Sequence, residues 1–499
     1  MEMRRIWSLI VIAVLVLVAF GCKPSITSTS PPSPITLQAN QSKVFTVTAT
    51  GGNLTYVWEL DGITQASTTN TFTYAPTSAN LGQHTLKVTV SNVDGQASYT
   101  WDITVALIED KWEKTFGGSG DDVAYSIQQT ADGGYIVAGK SNSTNIAGAT
   151  NHGGYDCYVL KLYAAGNLQW QALYGGSGDD IARSIQCTAD GGYIVAGYSD
   201  STDIPGVTNS GGKDFYVLKL SAAGVVQGQT MYGGTGNDYA YSIQTTQDGG
   251  YILAGYTSPS LLLADIHVIK LNADGTVSWD RLYATGTFEF AYSIKETVDN
   301  LGNANGYILA GSKNVLAFYV IRTDLSGVIL WEDSSSFPII GGAAWDVVQA
   351  ADGGFVVTGW INSFAGSGNA KPDACTIKYQ DPIGSKSWST LSGGEAIDEA
   401  HSLAEIPGGL GFILTGMTFS DDIRGGSGPP SVGDSDVYIA VLDASGTCIY
   451  QERHGGIDLD DQGLSIIITE SGGNPDGFVI VGQKGFLSHD VRVLRYNMF

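Results

Sequence analysis

The sequence predicts an all-β protein whose larger part is a closed circular array of four-stranded antiparallel sheets. The first sign is repetition. GGSGDDVAYSIQQTADGGYIVAG, beginning at Gly117, returns as GGSGDDIARSIQCTADGGYIVAG from Gly175 and as GGTGNDYAYSIQTTQDGGYILAG from Gly233, a period of 58 residues both times. A chain that copies one unit in this way stacks supersecondary modules. The second sign lies inside the unit, where four short β-rich runs are separated by Gly and Asp-Gly turns. The third is an orphan run, Lys111-Trp-Glu-Lys-Thr-Phe116, which precedes the first unit while the last unit lacks its fourth run.

Taken in chain order, residues 1–21 carry Arg4 and Arg5 and then an apolar run from Ile6 to Phe20. That run is too short to span a bilayer, for which about 20 apolar residues are needed, and reads as the core of a signal peptide. Ala19-Phe20-Gly21-Cys22 resembles the bacterial lipobox, although Ala19 and Phe20 depart from that family's usual Leu and small residue. The resemblance implies lipidation of Cys22 and a membrane anchor in the bacterial cell envelope, with leaflet and face left open. Residues 22–34 are rich in Ser, Thr and Pro and have little to bury, so they are expected to be an extended tether.

From 35 to 106 the pattern turns to alternating strands, Lys43 to Thr50, Leu54 to Leu60, Thr71 to Tyr74, His84 to Ser91 and Ala97 to Val105. Turns at Gly51-Gly52, Asp61-Gly62 and Asp94-Gly95 divide them, as in a small β-sandwich. Tyr56-Val-Trp-Glu-Leu-Asp-Gly62 resembles the central strand of bacterial Ig-like or PKD-like modules, with Trp58 as the core tryptophan and no disulfide. A stem or spacer is the role this implies.

In the first repeat unit strand a begins near Ala124 and strand b runs from Tyr135 to Gly139; strand c is Asp156 to Leu162 and strand d is Leu168 to Tyr174 with Trp170. Following strands b and c gives seven units, from Tyr135 and Tyr158 to Phe478 and Val493. A four-stranded sheet this small cannot bury its own faces and must pack on its neighbours. If the orphan strand completes the seventh sheet, no edge is left free. On these residues, 111–499 resembles the seven-bladed β-propellers, in wording like the repeats of bacterial surface and secreted proteins.

Composition fits an exported, water-facing chain. There are 66 Gly, and 25 Lys+Arg stand against 49 Asp+Glu for a formal net charge of −24. Such an acidic balance argues against nucleic acid and against anionic lipid held through a charged face. The five cysteines show neither a disulfide ladder nor a zinc spacing, so Cys157, Cys187, Cys375 and Cys448 read as small buried side chains.

The candidate functional residues fall into two groups. An acidic residue just ahead of strand a recurs as Asp122, Asp180, Asp238, Glu289, Asp398 and Asp461, with Gly342 in the fifth unit. In a propeller these would ring one channel mouth. They would either fix the Gly-rich turn by accepting its amides or collect a cation, for which calcium is the suitable ion; no other cofactor is indicated. The second group lies in the unequal b-to-c loops, Lys140 to Tyr155, Tyr198 to Lys213, Trp360 to Pro372 and Thr418 to Ser435. There Asp200, Asp203, Trp360, Phe364, Asp421 and Asp422 are candidates for a protein or carbohydrate ligand.

No arginine triad with a nucleophile pair and no nucleophile elbow can be picked out. A non-enzymatic binding or scaffolding platform, monomeric and lipid-anchored, is therefore the expectation. A polysaccharide-active enzyme and an envelope assembly factor are the alternatives.

Overall fold

The computed structural model describes residues 23–38, 42–77, 80, 82–106, 108–260, 263–314, 317–334, 341–363, 371–423, 435–455, 460–485 and 489–498. The leader and Cys22 lie outside them. The chain divides into two compact units, Met1–Ala106 and Leu107–Phe499. Among the described residues no helix is long and apolar enough to cross a membrane.

Among its described residues the first unit has two sheets, one of three strands and one of five. The strands Lys43–Thr50, Thr55–Leu60, Thr71–Tyr74, Gly82–Asn92 and Gly95–Ala106 match the alternating pattern. Their inward residues meet in an aromatic core. Trp58 stacks on Phe72 at 5.6 Å and on Trp101 at 5.6 Å, while Phe45 meets Trp101 edge-on at 5.3 Å. The expected tether is corrected here. Ser25–Ser30 pairs antiparallel with Lys43–Thr50, and Ile35–Gln38 pairs parallel with Gly95–Ala106. The physical reason is that this segment has something to bury and something to bond. Pro24 and Pro31 are buried, and the Pro31 carbonyl accepts the Trp101 indole N–H at 2.7 Å.

The second unit is all-β and holds, among the described residues, seven four-stranded antiparallel sheets, an arrangement consistent with a β-propeller. The first is Asp122–Gln129, Tyr135–Ser141, Asp156–Leu162 and Leu168–Tyr174. In the seventh, Asp461–Ser471, Asn474–Lys484 and Asp490–Met498 take their fourth strand from Ile108–Phe116, with Val493 opposite Lys114. The seven first strands, from Asp122–Gln129 to Asp461–Ser471, touch one another in a closed cycle and are therefore innermost. A cavity of about 420 Å³, lined by Gln128, Val348, Ala404 and Ile467, opens among them.

Strands b and c are buried on both faces, which explains their unbroken apolar wording. Ile136, Ala138, Cys157 and Val159 of the first sheet pack on Ala182, Ile185 and Val195 of the second. Val137 and Leu160 pack the opposite face on Val479, Val481, Val491 and Val493 of the seventh.

The repeated residues are the joints between sheets. A serine in strand a accepts an amide from the next sheet, as Ser126 does from Ile185 at 3.2 Å and Ser402 from Ile466 at 3.3 Å. In the fifth sheet Asp346 stands in its place and takes hydroxyls from Ser293 at 2.8 Å and Ser402 at 2.9 Å. The strand-d tryptophan covers the turn glycine of the next sheet, Trp170 on Gly224, Trp279 on Gly327 and Trp388 on Gly446. Trp112 makes the same contact on Gly166, where φ is +76° and an added Cβ would lie 2.7 Å from the ring.

Candidate functional site

The acids ahead of strand a do not line an open mouth. Asp122, Asp180, Glu289, Asp398 and Asp461 are 0% exposed and Asp238 is 2% exposed. Most are built into a clasp. Asp122 Oδ2 accepts the Gly118 amide at 2.7 Å and the Ser143 hydroxyl at 2.8 Å, while Ser143 Oγ accepts the Gly120 amide at 2.8 Å. Asp180 repeats this with Gly176 and Ser201, each at 2.7 Å, and Asp398 with Gly394 at 2.8 Å and Ser420 at 2.9 Å. Asp238 takes the Gly234 amide at 2.9 Å; Glu289 takes the hydroxyls of Thr285 and Thr287, and Asp461 faces Arg492 at 2.7 Å. The amides of these tight Gly-rich turns have no strand partner, and the buried carboxylates supply their acceptors.

The loop acids serve the same clasp. Asp203 Oδ1 accepts the Ser177 amide at 2.8 Å, Asp200 Oδ1 the Asp179 amide at 2.6 Å, and Asp422 Oδ1 the Glu395 amide at 2.8 Å. In the first sheet Asn145 and Asn142 do this for Ser119 and Asp121. Asp421 pairs with Arg453 at 3.2 Å. Trp360 is half-buried in strand b of the fifth sheet, opposite Ala343, and Phe364 lies outside the described residues. The sequence signal for the clasp is Ser/Thr-x-Ser-x-Asn/Asp after strand b, seen at Ser141–Asn145 and Ser199–Asp203.

Nor do the six acids meet one another. Each instead neighbours the carboxyl that opens strand c of the preceding sheet: Asp122 beside Asp490, Asp180 beside Asp156, Asp238 beside Asp214, Glu289 beside Asp265, Asp398 beside Asp373 and Asp461 beside Asp436. Burial pushes the Asp180 and Asp398 carboxyls up, and it holds Asp436 at about 6 against the pull of Arg453. Burial also opposes ionisation of Asp238, but His267 and the Gly234 amide outweigh it and the net shift is downward. Among the described residues, no three His, Cys, Asp or Glu side chains gather as a metal centre. Cys157 and Cys375 are buried, while Cys187 and Cys448 are only partly so, a correction to the expectation that all four are core residues.

A different set of side chains does converge on the axis. In all seven sheets the pairing of strands a and b slips by one residue at the same place, as between Ala124 and Ser126, a β-bulge. A bulge re-aims the extra side chain. Here the extra residues are Tyr125, Arg183, Tyr241, Tyr292, Trp345, His401 and Leu464. Consecutive members from Tyr125 to His401 touch one another. Arg183 Cζ lies 4.1 Å from the centre of the Tyr125 ring and 4.9 Å from that of Tyr241. Onward, ring centres are 5.3 Å apart for Tyr241 and Tyr292, 4.3 Å for Tyr292 and Trp345, and 6.0 Å for Trp345 and His401.

A second aromatic row lies beside this collar, with Tyr198 and Tyr239 at 4.9 Å, Tyr239 and Tyr256 at 4.8 Å, and Tyr256 and Phe290 at 4.6 Å. Lys140 Nζ stands 4.1 Å over Tyr155, and Lys213 Nζ 5.2 Å over Tyr198. Burial, aided by the nearby Arg183, pushes the Lys140 ammonium down. Lys213 is answered by Asp200 at 3.3 Å. Arg183 has no carboxylate partner among the described residues; Nη2 reaches the Tyr198 hydroxyl at 3.5 Å, and Nε is buried with no acceptor. The signal missed in the sequence is the variable letter of Ala-x-Ser in strand a, which is aromatic or basic in six of seven copies.

No family model matches the chain, and no curated protein matches it. Among solved structures it is similar to a quinoprotein alcohol dehydrogenase-like protein from Bacteroides thetaiotaomicron at 10% identity and a TM-score of 0.37, over 87% of this chain and 97% of that one. Sqt1 from Chaetomium thermophilum aligns at 12% identity and a TM-score of 0.44, over 74% and 83%. The WD40 domain of Toxoplasma gondii coronin aligns at 10% identity and a TM-score of 0.41, over 79% and 88%.

Proposed function

We propose that this chain is an exported bacterial envelope lipoprotein, anchored through Cys22, in which an Ig/PKD-like module precedes a monomeric seven-bladed β-propeller that binds an acidic glycan at its axis and turns nothing over. The single observation that carries the ligand is Arg183. A guanidinium held by the faces of Tyr125, Tyr198 and Tyr241, with no carboxylate partner among the described residues, keeps its charge free for an anion in a chain of net charge −24. Lys140, stacked over Tyr155 and within the fields of Asp121 and Asp179, adds a second positive charge beside it. The neighbouring tyrosine faces suit the C–H faces of sugar rings, and their hydroxyls suit sugar hydroxyls.

Seven blades are supported by the closed cycle of first strands and by the borrowed strand Ile108–Phe116. The test is a glycan array that contains uronic-acid, sulfated and neutral oligosaccharides, followed by calorimetry on the best binder. Binding to the charged glycans that is lost on Arg183→Gln supports the reading. Preference for neutral sugars, or for an acidic peptide, overturns the ligand class, and product release overturns the assignment as a binder.

A further inference from the structure

The paired carboxyls at the sheet junctions hold a separate site. At the junction of the first and second sheets, Asp156 and Asp180 are both 0% exposed and flank Gly175. A Cβ placed on that glycine would lie 2.4 Å from Asp156 Oδ1 and 2.4 Å from Asp180 Oδ2, so the two oxygens lie within twice that distance of each other. At the next junction the corresponding distances around Gly233 are 2.3 Å to Asp214 Oδ1 and 2.7 Å to Asp238 Oδ2. A calcium ion bound at about 2.3–2.6 Å by two oxygens requires them to be no more than about 5 Å apart.

Three further observations point to a cation rather than to chance proximity. Among the described residues Asp156 Oδ1, Asp214 Oδ1 and Asp122 Oδ1 are buried with no hydrogen-bond donor, while Asp122 Oδ2 is engaged in the clasp and Asp156 Oδ2 by His152. An ionised oxygen without a donor is expensive in a protein interior. At the sixth junction the positive charge is built in, since Arg453 lies 3.3 Å from Asp436 and Arg492 lies 2.7 Å from Asp461. At the fourth junction both acids are absent together, replaced by Ala317 and Gly342. Loss of the pair as a unit is what a shared ligand predicts.

We infer that the junctions whose acid pairs lack an arginine, typified by Asp156 with Asp180 and Asp214 with Asp238, bind Ca²⁺ between adjacent blades. Two carboxylates per ion, completed by backbone carbonyls and water, place the affinity in the weak range of extracellular calcium modules, with Kd of about 10⁻⁴–10⁻³ M. The site lies outside the axial collar and stands independently of the ligand proposed there.

The experiment is calorimetric titration of the chelator-treated full chain with CaCl₂, with a thermal melt at each calcium level. More than one ion is expected per chain, with a rise in Tm of about 5 °C at saturating calcium. The double variant Asp156→Asn/Asp180→Asn loses one ion from the stoichiometry, as does Asp214→Asn/Asp238→Asn, whereas Asp132→Asn, outside any pair, loses none. If folded wild-type chain takes up no calcium at millimolar levels, or if both double variants keep the full stoichiometry, the inference is overturned. Were either variant to unfold, the other variant and the wild-type titration still decide it.

Discussion

Substituting Trp112 with alanine removes the side chain that joins the start of the second unit to the sheet after the one it completes. Its ring covers Gly166 and meets Tyr135 edge-on at 6.1 Å. Trp170 makes the equivalent joint entirely within the repeat array, covering Gly224 and approaching Tyr193 at 6.2 Å. Full burial of a tryptophan would put the cost of truncation near 3–5 kcal/mol. Both rings are half-buried, so about 3 kcal/mol is expected for each. At roughly 2 °C per kcal/mol for a domain of this size, each variant lowers Tm by about 6 °C.

Thermal and guanidinium unfolding of the wild type, Trp112→Ala and Trp170→Ala give the comparison, with Tyr fluorescence and circular dichroism as two probes of one transition. Closure makes the two joints equivalent and predicts costs that agree within about 1 kcal/mol. A cost under about 0.5 kcal/mol for Trp112→Ala, the range of an ordinary surface change, beside a full cost for Trp170→Ala, would refute the ring.

Other consequences can be read in the same assays. Asp346→Ala severs bonds to two neighbouring sheets at once and is expected to cost about 1–3 kcal/mol, with Asp346→Ser, the residue of most repeats, recovering part of the loss in the melting midpoint. Lowering pH from 7 to 5 should raise Tm, because burial lifts Asp436 to about 6 in the folded chain, above its unfolded value, so its ionisation opposes folding as pH rises through that range; Asp436→Asn flattens this slope. Below about pH 4 the trend reverses. Partial desolvation of Asp132 is outweighed by the Thr130 hydroxyl, Lys161 and the turn amide of Gly134, which hold it down at about 2, so its stabilising charge is present above the unfolded value and lost as pH falls toward 2, a limb that Asp132→Asn removes from the pH profile. In the loop, Asp203→Asn keeps an acceptor for the Ser177 amide, as Asn145 does in the first sheet, and is expected to leave both stability and glycan binding within error.

Much of the architecture was legible because its signals are local. Asp-Gly-Gly fixes the a-to-b turn, two-sided apolar runs mark sheets buried on both faces, and the orphan run around Trp112 announces the borrowed strand. Residues 25–30 form a strand that composition does not announce, because composition hides what a segment pairs with. Ser and Thr look like a tether until Lys43–Thr50 offers an edge and the Trp101 indole needs the Pro31 carbonyl. The acids ahead of strand a sit beside Gly-rich turns whose amides they can accept, whereas nothing local in the sequence shows the partners of the loop acids Asp200, Asp203 and Asp422, which are backbone amides 21 to 27 residues away. Regularity itself concealed the axis. The residue between Ala and Ser varies from copy to copy, and only the slipped register shows that this variable letter is the one turned inward.

Isothermal titration of the best acidic glycan against three proteins, wild type, Arg183→Gln and Asp203→Asn, tests the central assignment most directly. The axial site predicts that Arg183→Gln binds at least tenfold more weakly while Asp203→Asn matches the wild type. Unchanged affinity in Arg183→Gln with loss in Asp203→Asn would move the ligand to the loops and contradict it.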